Sequence, residues 1–202
     1  MIIREESLPE KNNGHLKTID NWKTATLGAY YPRKQKANKR GIMKVLPFWG
    51  GPFSNWFIAP FRALTMDERL IEFNCVEQFM MVQKAMCFND RATARKILDT
   101  PDPKEQKTLG RQVKNFDETE WMCGCRSFVK PGLVAKFTQN PELNKELIET
   151  RGRLLVEASP SDHVWGVGLP ANCPTIEDTK TWKGFNFLGF LLTDLRVEMI
   201  GE

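Results

Sequence analysis

The chain reads as mainly α: a compact, multihelical single domain with a minor β component. Three observations predict this. Apolar residues recur at spacings of three and four over 76–88 and again over 187–195, the pattern of one helix face. Two capping signals, Asp117 ahead of Glu120 and Asn140-Pro141, open further helices. Only one segment, 153–158, has the short apolar character of a buried strand.

The elements follow in order. Residues 1–45 form a basic N-terminal extension, and the domain occupies 46–202. Residues 48–61 are dense in aromatics, Gly and Pro, which excludes a regular helix and predicts an ordered loop pinned by buried rings. In 76–88, Phe79, Met80, Val82, Ala85 and Met86 make an apolar helical stripe. A second helix over 91–98 ends before Thr100-Pro101, where proline blocks continuation. A third is expected around 104–113. Asp117 starts a fourth, carrying Trp121, which Gly132 is expected to interrupt before helix resumes over 133–138. Asn140-Pro141 opens 142–149, with Leu143 and Leu147 inward. After the strand, 159–181 reads as loop. Phe187, Leu188, Leu191, Leu192 and Leu195 then predict a strongly amphipathic last helix ending near Gly201.

Composition bounds the function. Of 202 residues, 41% are hydrophobic, which excludes disorder over the whole length. No apolar run approaches the ~20 residues of a membrane-spanning helix. The first six residues lack the apolar stretch of a secretory signal. A cytoplasmic protein without a membrane partner is expected. The net charge of +4 is unevenly spread: residues 1–45 hold ten Lys/Arg against four Asp/Glu. Arg33, Lys34, Lys36, Lys39, Arg40 and Lys44 form an acid-free strip over 33–44. Such a strip is either a solvated extension or a seat for nucleic-acid phosphates. The five cysteines are odd in number and irregularly spaced, which predicts reduced thiols. Cys123-Gly124-Cys125 is too tightly spaced for the usual zinc pair, so no metal is expected.

Phosphate-loop, zinc-protease and nucleophile-elbow motifs are absent. Gly166-Val167-Gly168-Leu169-Pro170-Ala171 imitates a dinucleotide fingerprint, but Pro170 and the missing helix after it contradict one. Three polar features remain. Glu77 and Lys84 stand seven residues apart, and at about 100° per residue they project from nearly one helix face. Among Met80, Met81 and Phe88, a carboxylate there is either a tuned acid or base or a solvated edge. The loop 159–168, with Asp162, Trp165, Gly166 and Gly168, follows the strand. It is either a ligand loop or a plain turn capped by Asp162. Trp121 is either a core anchor or a stacking platform.

Taken in series, these residues resemble the NADAR (YbiA-like) family. The matching pieces run from 48 to 196: Phe53-Ser54-Asn55, Pro60-Phe61, Val76-Glu77-Gln78-Phe79, Gln83-Lys84-Ala85 and Leu109-Gly110-Arg111-Gln112-Val113. Trp121, Ala135 to Asn140, Leu147 and Thr150 follow. Then come Leu155-Val156-Glu157-Ala158-Ser159, Asp162 with Trp165-Gly166 and Gly168, Gly184 with Asn186 and Leu188-Gly189, and Arg196. The resemblance implies a YbiA-like fold and cleavage of N-glycosidic bonds in NAD- or ADP-ribose-related compounds, with no cofactor. It implies Glu77, Lys84 and Asp162 as catalytic residues. It implies Ser54, Asn55, Arg111, Trp121, Lys136, Trp165, Gly166, Gly168 and Asn186 as substrate contacts. Arg111, Lys136 and the 166–168 loop are expected to receive phosphates. Lys84 also admits a Schiff-base route on an opened ribose.

Two departures bear on the substrate. Gln78 stands where the family often has histidine, and Val167-Gly168-Leu169-Pro170 replaces a stretch often richer in acids. The leading expected substrate is ADP-ribosylated guanine in nucleic acid. A second is a ribosylamine phosphate of riboflavin synthesis, and a third reading is a non-catalytic module that binds NAD or ADP-ribose. Oligomeric state is not legible here.

Overall fold

The computed structural model describes residues 44–201. Lys44 is exposed within it, and the remainder of the basic strip lies outside the described residues. In chain order the elements are β1 (Val45–Phe48), β2 (Phe61–Leu64), β3 (Leu70–Phe73), α1 (Val76–Cys87), α2 (Arg91–Leu98) and α3 (Pro103–Gly110). They continue with α4 (Glu118–Gln139), α5 (Pro141–Glu149), β4 (Leu154–Glu157), a 3₁₀ turn (Thr179–Thr181) and α6 (Phe187–Ile200). The mainly helical class with a small strand component is as expected.

The strands make two small sheets. β2 and β3 form an antiparallel hairpin, Phe61 opposite Phe73. β1 and β4 pair in parallel although far apart in sequence, with Phe48 opposite Glu157. That register brings the segment after Phe48 and the segment after Glu157 to the same end of the pair. Both loops read from sequence therefore leave the sheet side by side.

α1 is buried along nearly its whole length. Phe79 meets Phe73 edge-on, ring centroids 5.1 Å apart. Its N-cap is Cys75, whose Sγ accepts from the Gln78 N–H at 3.4 Å and donates to Gln106 Oε1 at 3.2 Å. Burial pushes that thiol up to about 11, which keeps it protonated and inert. α2, α3 and α4 start on side-chain caps from Asp90, Asp102 and Asp117; Asp117 Oδ1 accepts from Glu120 N at 2.8 Å, as its spacing predicted.

Four expectations need correction. α4 is one continuous helix from Glu118 to Gln139, with Pro131 inside it. Gly132 does not break it; a Cβ there would collide with the Phe79 ring, so its role is close helix packing. α3 stops at Gly110, where a Cβ would strike Met81. Asn140 does sit at the N-cap ahead of Pro141, but its side chain makes no bond into α5; it donates to Pro60 O and Lys136 O, tying β2's approach to the end of α4. α6 is not amphipathic: it is buried on every face from Phe187 to Leu192, and Arg196 beyond is buried too. A helix apolar all round belongs in a core. Arg196 Nη1 donates to Thr150 O, Thr150 Oγ1 and Arg153 O, which satisfies its charge where α5 runs toward β4.

α6 approaches β4 closely because Gly189 has no side chain. A Cβ there would overlap Leu155 O and the Asn186 amide. Gly189→Ala is expected to cost at least ~2–3 kcal/mol, the upper range for overpacking. Urea unfolding checks this, and an unchanged midpoint would mean that α6 lifts off β4 without penalty.

Candidate active site

A cleft of about 690 Å³ opens at the shared end of β1 and β4. Its size suits a small molecule or one arm of a larger one. Four segments build it: the loop after β1, the start of α1, the outer face of α3, and the loop after β4.

Glu77 comes from the first turn of α1. Its backbone N–H donates to Asn55 O at 2.9 Å, so the β1 loop is docked onto the helix start. The side chain is 1% exposed, and Oε1 has no protein partner. Burial is the dominant influence on its acidity, opposed by Lys107, a Trp56 hydrogen bond and Arg111; the carboxyl is pushed up to about 7. Asn55 Oδ1 is likewise buried and unpartnered.

Asp162 sits in the loop after β4. Its Oδ1 accepts from Val164 N at 3.0 Å and Trp165 N at 2.8 Å. Its Oδ2 lies 3.6 Å from Lys107 Nζ. The side chain thus both shapes its own turn, as one sequence reading had it, and presents an oxygen to the cleft. Gly166 cannot be replaced without strain, because a Cβ would press on Glu157 O and Asp162 O.

Of the residues expected at the site, Ser54, Asn55, Glu77, Arg111, Asp162 and Trp165 line the cleft together. Six do not. Lys84 Nζ donates to Gly110 O at 2.9 Å and lies 3.8 Å over the Phe116 ring. Burial, then Arg111, lower its pKa, with Glu77 opposing. Trp121 is a core anchor, buried and tilted against Phe128 at 5.9 Å. Lys136 is fully buried and gives its amine to Pro52 O (2.7 Å) and Ser54 O (2.9 Å), so it fixes a loop rather than facing a phosphate. Burial brings its pKa down to about 7. Gly166 stands behind the wall, and Gly168, at φ 68°, packs against Lys183 and His163. Asn186 holds the wall from behind: Oδ1 accepts from Glu157 N, and Nδ2 donates to Leu155 O.

The two departures noted in sequence also lie off the cleft wall. Gln78 spends its amide on Ile97 O, Leu98 O and Thr100 O, closing the end of α2. Leu169 is buried.

Sequence reasoning missed several wall residues. Glu157 is the foremost: it closes β4, lines the cleft, and leaves Oε2 buried without a protein partner. Burial, then Asp162, push its carboxyl up to about 8. The available signal was a lone acid ending an apolar strand. Lys104 and Lys107 of α3, with Arg111 just beyond, face the three acids. Lys107 Nζ also lies 5.7 Å over the Trp56 ring. The β1 loop does not bury all its rings: Trp49 is 74% exposed and Trp56 41%, both on the cleft wall.

All five cysteines are free, and among the described residues no group of three or more His, Cys, Asp or Glu is arranged to hold a metal. Nor is any described helix long and apolar enough to cross a membrane.

The model of the NADAR domain matches residues 48–200. N-glycosidase R617 of Acanthamoeba polyphaga mimivirus is 40% identical over 146 residues, which are 72% of this chain and 86% of that protein. The chloroplastic riboflavin biosynthesis protein PYRR of Zea mays is 32% identical over 161 residues, 75% of this chain but 24% of that much longer protein. Among solved structures, the NMR structure of Escherichia coli YbiA superposes with a TM-score of 0.61 at 25% identity, covering 83% of this chain and 90% of YbiA. With a family model spanning the whole domain and a relative this similar over most of its length, the chain belongs to the NADAR domain family.

Proposed function

We propose that this protein is an N-glycosidase that hydrolyses the ribosyl C1–N bond of a phosphate-bearing substrate. The observation that carries the reading is the Glu77 carboxylate, buried in a cleft wall with one oxygen unpartnered and with Lys107 and Arg111 in the same lining. The name of the mimivirus relative supports the N-glycosidic bond type, and the name of PYRR supports a link to riboflavin biosynthesis.

The chemistry follows from charge. As the C1–N bond breaks, the sugar gains oxocarbenium character and the departing nitrogen gains electrons. Glu77, as the anion, stabilises the cation and accepts a proton from the attacking water. Such a group contributes ~10²–10⁴ in rate. Asp162 Oδ2 and Asn55 Oδ1 are acceptors suited to ribose hydroxyls. Lys104, Lys107 and Arg111, in the same lining, suit phosphate oxygens. Trp49 and Trp56 offer ring faces to a base.

Within this class, ADP-ribosylated guanine is the leading substrate. A diphosphate, two sugars and two bases use the cations, acceptors and exposed indoles together. The basic strip at 33–44 suits a nucleic-acid-borne form of it. Ribosylamine phosphates are the second candidate, favoured by the similarity to PYRR. Incubation with ADP-ribosylated guanine DNA, NAD or a ribosylamine phosphate, followed by mass spectrometry for free base, discriminates them. Release of base from none would remove the N-glycosidase reading.

Glu77→Gln should lower kcat by at least ~10²-fold with the melting curve intact. Full activity in that variant would take Glu77 out of the mechanism. Because Glu77 acts as the anion and titrates near 7, activity should fall as pH drops through that value. Lys84 is engaged by Gly110 O and the Phe116 ring, which favours a positioning and electrostatic role. Borohydride added during turnover should therefore trap no covalent adduct on Lys84, as read by peptide mass spectrometry. An adduct would establish the Schiff-base route.

A further inference from the structure

We propose that Glu157 is the acid that protonates the departing base nitrogen, working as a neutral carboxyl beside an anionic Glu77. The inference rests on the N-glycosidase reading above.

Glu157 is held with little freedom. Its N–H donates to Asn186 Oδ1 at 2.9 Å, and its carbonyl accepts from Val167 N at 2.9 Å. Its backbone lies opposite Phe48 in the parallel strand pair. The side chain lines the same cleft as Glu77 and Asp162, and Oε2 meets no protein donor.

The surroundings decide which acid keeps a proton. Glu77 receives a Trp56 hydrogen bond and feels Lys107 and Arg111. The groups acting on Glu157 are Asp162 and Glu77, both acids, and Lys107. Lys107 is already paired with Asp162 at 3.6 Å. Lys104 and Arg111 also line the cleft. Burial disfavours a third charge in this cluster, so negative charge settles on Glu77 and Asp162 and the proton stays on Glu157. Burial, first of all, pushes both carboxyls above the usual carboxylate range. The two titrate as a coupled set.

The C1–N bond breaks and its electron pair goes to nitrogen. The Glu157 carboxyl proton moves to that nitrogen. Water adds its oxygen to C1 and gives a proton to Glu77. Transfer of that proton back to Glu157 through solvent restores both groups, with one water consumed.

An acid of this kind is lost as pH rises through its pKa. The wild-type rate on ADP-ribosylated guanosine should therefore fall on the alkaline side, while ionisation of Glu77 sets the acidic side. Glu157→Gln should lower kcat by at least ~10²-fold, leave KM within about threefold and abolish the alkaline limb. A merely structural role would lower the melting temperature and leave the limb in place. A variant that keeps the limb, or loses less than about threefold in kcat, overturns the proposal. Should Glu157→Gln not fold, carboxyl ¹³C NMR of glutamate-labelled Glu77→Gln protein decides. One carboxyl should titrate well above the ordinary range, and its absence overturns the proposal. If wild-type protein cleaves no substrate yet that resonance is present, the N-glycosidase reading has failed while the neutral acid stands.

Discussion

The arrangement of the cleft depends on the Asn186 side chain. In the left-handed region, at φ 55°, it reaches back from the start of α6 to the end of β4. Its oxygen takes the Glu157 N–H, its nitrogen gives to Leu155 O, and its backbone N–H gives to Gly166 O. One residue thus joins the central helix, the parallel strand and the glycine loop. Loss of Asn186 would leave buried strand groups unpaired and release the backbone that carries Glu157 and Asp162.

A second tie works from the other side. Lys136, buried in α4, gives its amine to the carbonyls of Pro52 and Ser54. The next carbonyl along, that of Asn55, takes the Glu77 N–H. The long helix therefore positions Glu77 through the loop as well as by packing directly on α1, Gly132 against Phe79. The two ties converge on a pair of acids whose burial is unfavourable in itself. The sheet pair and the core hold them there regardless, as expected when local stability is given up for chemistry.

Much of this was legible in the sequence. Caps, prolines and apolar stripes located the helices because each signal is local: Asp117, Pro101 and the 76–88 stripe act within one turn or two of themselves. The failures were long-range. Gly132 reads as a breaker until Phe79 is set against it. The last helix reads as amphipathic until its second face is seen to be covered. Lys136 looks like a site residue because the family resemblance covers its motif, and Gln78 because it stands where the family often has histidine. Only the tertiary partners, carbonyls at Pro52, Ser54 and Ile97, reveal them as fasteners. Glu157 was passed over for the opposite reason. An acid at a strand end looks like the edge of solvent, and the pairing of β1 with β4 turns it inward.

The close approach at Gly189 and Gly166 has an evolutionary corollary. Neither position admits so much as a methyl group without pressing on backbone, and Asn186 is committed at three atoms. Substitution at these three positions is therefore costly. The other half of the wall, the exposed indole-bearing stretch beyond Phe48 and the lysine face of α3, presents side chains to the cleft that change at lower cost.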